Sequence, residues 1–285
     1  MPRAGRAVVL CYLLALFVAV VTGIAARGEH PLAVAAWADL AATIAVFAFS
    51  VTFANASFYD PYWSVAPPAL ALWYASRAEE GVPGLRQALV IALVAIWAAR
   101  LTWNWARGWT GLDHEDWRYA RIRERTGRLY PLANFFAIHL FPTLQVFAGC
   151  LALWPALALG TRPLGALDAL AFAVTAGAIA LEARADQELR RFRLAPDRRG
   201  EDILDTGLWR LSRHPNYLGE MGFWWGLWLF GLAADPGWWW TLVGPVLMTA
   251  MFAFGTIPMI ETRMREKRPG WEEHARRVPI VPRPF

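Results

Sequence analysis

The chain has 285 residues, a formal net charge of +5, 57% hydrophobic residues and only 18% charged ones. So large an apolar excess excludes an ordinary water-soluble domain and makes a lipid bilayer the expected solvent. Nucleic acid is not the expected partner of the positive charge either, because the arginines cluster beside apolar runs, where a positive-inside bias accounts for them.

Apolar runs long enough to cross about 30 Å of hydrocarbon are expected at 7–26, 34–57, 62–79, 86–106, 134–159, 164–184, 217–234 and 237–257. Pro67 and Pro68 make the third the weakest. The implied fold class is all-α, a polytopic membrane helix bundle of seven or eight transmembrane helices. Seven applies if the first run, led by Arg3 and Arg6 and trailed by Ala25 and Ala26, is a cleaved signal sequence; retention as a first helix is the favoured reading. Eight crossings from a cytoplasmic start leave 107–133, 185–216 and 258–285 in the cytoplasm, and these hold most of the arginines. Tryptophans at 103, 105, 109, 117, 224, 225 and 238–240 fall near span ends, as in an interfacial belt.

Lys267 is the sole lysine, and the bias to Arg and Ala points to a bacterial chain, hence a bacterial inner membrane. Cys11 and Cys150 lie within apolar runs, which argues against a disulfide framework, and the five histidines lack metal-ligand spacing, so no metal is expected. The whole of 1–285 reads as a single membrane domain, a monomer in contact with membrane lipids. Its early spans, 1–85, would shape a substrate cavity, and 86–285 would carry the cofactor.

Candidate chemistry concentrates where spans meet the cytoplasm. Asp186, Arg190 and Arg193 stand at i, i+4 and i+7 on one helical face. Arginine forks at a membrane boundary suit a pyrophosphate or a ribose 2′-phosphate, although positive-inside anchoring explains them equally well. Next comes Arg213-His214-Pro215-Asn216-Tyr217-Leu218-Gly219-Glu220 at the entrance of another span. Pro215 suits a first helical position, and the helix N-terminus offers free N–H groups to an anion. Glu220 would lie about one turn inside the span, where an ionisable group is expensive unless it faces a partner or a wet cavity. His214 alone could be an ordinary cap. His139 and Gln145 read as interhelical hydrogen-bonding groups.

The stretch from Asp186 to Glu220 resembles the C-terminal domain of the steroid 5-alpha-reductase superfamily. The resemblance is closest to a bacterial branch described only as a domain of unknown function, which shares a stretch like Gly111-Leu112-Asp113-His114-Glu115-Asp116-Trp117-Arg118-Tyr119; it covers roughly 90–285. It implies a bundle that binds NADPH from the cytoplasm and passes hydride to the carbon–carbon double bond of an enone lipid, such as a 3-oxo-4-ene steroid. Cofactor-contacting positions would then be Arg118, Tyr119, Asp186, Arg190, Arg193, Arg213, His214, Asn216, Tyr217, Glu220, Glu261 and Arg265. Where steroid reductases carry a Gln-Glu pair, this chain offers Asp60-Pro61-Tyr62-Trp63-Ser64, and the ketone-binding tyrosine falls on Trp97. The catalytic expectation is Asp60, Tyr62 and Asn104 near the carbonyl oxygen, with Trp63, Trp97 and Trp103 against the substrate. For Asp60, Arg100 and Asn104 a solvated boundary role is equally open.

The tail, helical from Ile257 and turning at Pro269-Gly270, could fold back under the bundle and close the nucleotide site. A similar Arg-His-Pro-x-Tyr motif with a basic, Glu-containing tail occurs in isoprenylcysteine-type membrane methyltransferases, so an S-adenosylmethionine enzyme is the alternative. A non-enzymatic lipid-binding scaffold is the third class. Phosphate chemistry separates the first two, since S-adenosylmethionine has no phosphate for Arg190 and Arg193 to neutralise.

Overall fold

The computed structural model describes residues 3–282, with the Arg3 side chain outside what it describes. Its order is α1 Arg3–Ala25, α2 Pro31–Thr52, α3 Tyr62–Ala75, α4 Gly84–Gly108, α5 Trp117–Thr126, α6 Tyr130–Ala133, α7 Phe141–Cys150, α8 Ala166–Leu194, α9 Pro215–Ala234, α10 Val243–Ala250, α11 Ile257–Lys267 and α12 Trp271–Arg277. No strand occurs among the described residues. Wider π turns at Asn134–Leu140 and Met251–Thr256 join α6 to α7 and α10 to α11, so each pair reads as one rod.

Six stretches are long and apolar enough to cross a membrane: Ala4–Ala25, Pro31–Thr52, Gly84–Gly108, Trp117–Leu159, Ala166–Leu194 and Pro236–Lys267. The protein is accordingly an all-α, multi-pass membrane chain. The expected run at 62–79 yields only α3, whose 14 residues rise about 21 Å, short of the hydrocarbon thickness. The run at 217–234 yields α9, which has a spanning length of 20 residues but is diluted by tryptophan and glycine. Helix α1 is apolar all round and leaves Leu10, Leu13 and Phe17 exposed, which suits lipid contact.

The connections sort to two ends. At one, the Glu79 N–H donates to the Ala158 carbonyl at 2.8 Å, and buried Arg86 clamps Asp168 at 2.7 Å. At the other, Arg263 lies 4.0 Å over the Trp117 ring, Arg121 pairs with Glu266 at 3.3 Å, and Asn55 donates to the Leu112 and His114 carbonyls. The segments around 53–61, 107–133, 195–214 and 258–282 therefore gather at this second, arginine-rich end. Between the ends a main core forms around Trp97, Phe223, Trp224 and Phe230. A smaller core of Cys11, Val46, Phe58, Tyr59 and Tyr62 ties α1 to α2 and the start of α3.

Candidate functional site

Helices α8 and α9 touch along a glycine stripe. A Cβ on Gly219 would meet the Glu182 Cβ at 2.6 Å and the Ala178 carbonyl at 2.8 Å, and one on Gly226 would meet the Thr175 Oγ1 at 2.1 Å. That approach brings Glu182 and Asp186 of α8 level with Asn216 and Glu220 of α9. From α4, Trp97, Arg100 and Asn104 enter the same layer at i, i+3 and i+7. Arg100 pairs with Glu182 at 2.5 Å and with Asp186 at 2.8 Å. Asn104 donates to the same Asp186 oxygen at 2.7 Å, and Asn216 donates to the other at 3.4 Å. Arg107 in turn donates to the Asn104 side-chain oxygen.

Glu220 is sealed rather than open. Trp97 and Trp224 each donate an indole N–H to it at 2.9 Å, and the Trp97 ring stacks on Phe223 at 4.4 Å. Its carboxylate is a buried junction of α4 and α9, which satisfies the expectation that an ionisable group inside a span has named partners.

The Arg-His-Pro-Asn-Tyr segment is built as a latch. Arg213 Nε and His214 Nε2 both meet Glu261 Oε1 at 2.8 Å, and Trp271 Nε1 donates to Glu261 Oε2 at 3.0 Å. Arg213 Nη1 also donates to the Ala275 carbonyl at 2.8 Å and the Val278 carbonyl at 2.5 Å, and Ser212 donates to the Ile280 carbonyl at 2.5 Å. The tail thus does fold back onto the entrance of α9. Arg265 turns outward to Glu272 at 2.6 Å.

Between the end of α8, the start of α9 and the folded-back tail lies a cleft of about 180 Å³, with Arg193, Arg198, Arg268, Asn216, Tyr217 and Trp271 among its walls. Arg198 Nε, Arg268 Nη1 and Asn216 Oδ1 are buried atoms without a hydrogen-bond partner. Burial, and next the neighbouring Arg198 charge, push the Arg268 guanidinium below its usual value. His274, also on the wall, is pushed down by burial.

A second polar node lies beside it. The 109–116 segment is stitched to the α2–α3 connection, with Glu115 accepting from the Ala56 N–H at 2.8 Å and Ser57 Oγ from the Asp116 N–H at 3.0 Å. Asp116 caps α5 through the Arg118 N–H at 2.8 Å and also takes the Arg118 Nε at 2.8 Å. Tyr119 donates to Asp60 at 2.7 Å. Burial raises the Asp60 carboxyl to about 6, outside any span. Arg118 and Asp116 lie within electrostatic reach of the Tyr217 hydroxyl, which places this node next to the cleft.

Of the residues singled out from sequence, Arg193, Arg213, His214, Asn216 and Tyr217 line the cleft; Asp186, Asn104 and Glu220 stand in the layer behind it; Asp60, Arg118 and Tyr119 form the adjoining node. Arg190 is half-buried and is not among the lining residues. Tyr62 turns into the bundle, donating to Asp39 Oδ1 at 2.6 Å. The three tryptophans do not gather around one space: Trp97 is fully buried, Trp63 packs on the main core and Trp103 points outward at 64% exposure. Sequence reasoning missed Arg198, Trp209, Arg268, Trp271 and His274 on the cleft walls. Arg198 and Arg268 each adjoin a turn signal, Pro196-Asp197 and Pro269-Gly270, and the company they keep across 70 residues has no local trace.

The fold and site define a multi-pass helical membrane protein with a cationic, aromatic cleft at its arginine-rich end. The model of a family described as a protein of unknown function (DUF1295) matches residues 46–278, and the chain belongs to that family. An uncharacterized protein of Schizosaccharomyces pombe is 30% identical, over 77% of this chain and 70% of its own length. No solved structure matches the chain.

Proposed function

We propose that the protein is a membrane-embedded NADPH-dependent reductase acting on the conjugated double bond of an enone lipid, as the resemblance to steroid 5-alpha-reductases implies. The observation that carries this reading is the cleft with unsatisfied donors. Buried polar atoms nearly always find partners, and here two guanidinium N–H groups and one amide oxygen lack them while aromatic rings stand by. Arginine forks suit phosphate oxygens, and rings suit a base or nicotinamide face, so the residues present fit the phosphate-bearing part of such a cofactor. S-adenosylmethionine has no phosphate and a single carboxylate beside its own positive sulfonium and ammonium, so it matches a cluster of arginines less well.

In this reading Arg193, Arg198, Arg268 and Asn216 hold the cofactor, with Tyr217 and Trp271 as walls. Arg213, His214 and Glu261 act through position, fixing the tail that supplies Trp271. Bound in the cleft, the cofactor supplies a hydride to the double bond. The chain's own share is the proton and its placement: Asp60, raised to about 6 by burial, stays partly protonated at mildly acidic pH and is oriented by the hydroxyl that Tyr119 donates to it, so the pair can serve as a proton source. Arg100 and Asn104, anchored through Asp186, rigidify the layer between node and cleft. We further propose eight passes, counting α3 as a short one and α9 as a buried one, with the arginine-rich end in the cytoplasm of a bacterial inner membrane.

The test is calorimetric titration of the detergent-purified protein with NADPH, NADH and S-adenosylmethionine. Selective NADPH binding is the expected result. Binding of S-adenosylmethionine alone would transfer the cleft to methyl transfer, and binding of none would end the enzymatic reading.

A further inference from the structure

Arg193, Arg198 and Arg268 come from three places: the last turn of α8, the connection that follows it, and the residue just past α11. They meet around one cleft, close enough for the Arg198 and Arg193 charges to act on Arg268. Side-chain ion pairs abound at this end of the molecule, yet none involves these three among the described residues. The carboxylates that act on them are already engaged: Asp202, beside Arg268, accepts the Arg199 N–H at 2.6 Å, and Asp186, on the Arg193 side, is held by Arg100 and Asn104. The Arg198 guanidinium carbon rests 5.3 Å over the Phe192 ring, a cation–π contact that leaves its Nε unpaired. Three like charges against carboxylates that other donors already hold repel one another, and that repulsion is relieved by a multiply charged anion rather than by water.

We infer that Arg198 and Arg268, assisted by Arg193, form a subsite for a phosphate monoester, the dianionic end of a nucleotide that carries one. The inference rests on the reductase reading and adds to it the residues that choose between dinucleotides with and without a 2′-phosphate. A monoester carries close to two charges and three free oxygens, against one charge and two free oxygens on each phosphorus of a pyrophosphate link, so it is the better match to two or three guanidinium groups meeting at one point. Because Arg198 belongs to the α8–α9 connection and Arg268 adjoins the Pro269-Gly270 turn, an occupied subsite also ties those two segments together.

The experiment is titration calorimetry with two matched pairs, adenosine 2′,5′-bisphosphate against adenosine 5′-monophosphate and NADPH against NADH, with dihexanoyl phosphatidic acid and S-adenosylmethionine as further arms. The 2′-phosphorylated member of each pair should bind about 10- to 100-fold tighter, the range that one or two charge-assisted hydrogen bonds provide. Arg198→Gln and Arg268→Gln should each collapse that ratio by about tenfold, the 2′-phosphorylated member losing more than its partner in each pair, and an unshifted thermal midpoint without ligand reports that the variants fold. Should either fail to fold, Arg198→Lys or Arg268→Lys, which keep the charge but lose the fork, should show the same loss in smaller measure. The 2′-phosphorylated ligand should also slow proteolysis of the tail beyond residue 268, and NADH should not. A preference that survives the substitutions overturns the inference and leaves the reductase reading standing, whereas equal affinity within both pairs overturns the inference and, with it, the choice of NADPH over NADH. Binding of phosphatidic acid without any nucleotide, or of S-adenosylmethionine alone, overturns both.

Discussion

Asp60 offers a test in which sign and size both come from the structure. Its carboxyl is raised from 3.8 to about 6 by burial, partly offset by the hydrogen bond from Tyr119. A folded state that holds its proton more tightly than the unfolded chain is most stable below the unfolded value and loses stability as pH rises through the folded one. The loss should therefore run from about pH 4 to about pH 6 and persist above it. Two units correspond to about 3 kcal/mol at 1.36 kcal/mol per unit, an order-of-magnitude figure. Asp60→Asn keeps an oxygen for the Tyr119 hydroxyl and is neutral at every pH. Thermal unfolding of the detergent-solubilised protein between pH 4 and 7.5 should thus show a midpoint that falls for wild type relative to the variant, the two converging near pH 4. Parallel curves for the two proteins would falsify the assignment of Asp60 as a buried, proton-holding acid.

Gly226→Ala drives a methyl group into Thr175, and overpacking of this kind costs about 1–3 kcal/mol or more, whereas Gly200→Ala meets open space and should be neutral in the same melting assay. Arg86→Ala should destabilise by about 3–5 kcal/mol, because it strands the buried Asp168 carboxylate; a shift of the melting midpoint no larger than that of a surface Arg→Ala control would refute the buried pair. Glu261→Gln removes the shared acceptor of Arg213, His214 and Trp271, so limited proteolysis should cut the tail beyond residue 268 faster than in wild type. Trp103→Ala should leave NADPH affinity and turnover unchanged, since the ring faces outward; a loss of turnover in a stably folded variant would return Trp103 to the substrate wall.

The bundle was legible because a bilayer imposes a length and a polarity on each segment that crosses it, and those two constraints are local. The run at 86–106 accordingly lies within α4, and that at 164–184 falls on α8 from its third residue onward. The run at 62–79 begins where α3 begins, at Tyr62, but the helix stops at Ala75, so the last four expected residues pass into the connection to α4 and only 14 residues are helical. The latch was half legible: the Arg213-to-Glu220 string and the Glu-bearing tail stood out, and the tail's return was expected, but the three donors on Glu261 come from separations of 10 to 48 residues that no periodicity encodes. Arg198 and Arg268 looked like any boundary arginine. Only their lack of partners, a property of three-dimensional neighbours, sets them apart.

The same reasoning explains why the cleft sits where it does. Glycine at 219, 222 and 226 is one stripe of α9, and it lets the α8 backbone come close enough for Asp186 to hold Asn216 while Arg100 and Asn104 reach Asp186 from α4. Once those carboxylates are committed to Arg100, they are no longer available to the arginines one to three turns further along. Arg193, Arg198 and Arg268 are left facing a shared space with the tail closing its far side. A helix pair packed by larger residues would hold α8 and α9 further apart, Asp186 would be freed to neutralise Arg193, and the cleft would lose the charge that makes it a site. Close packing inside the membrane and unpaired charge just outside it are thus one arrangement, and a substitution such as Gly219→Val should weaken anion binding at a distance from any residue that touches the anion.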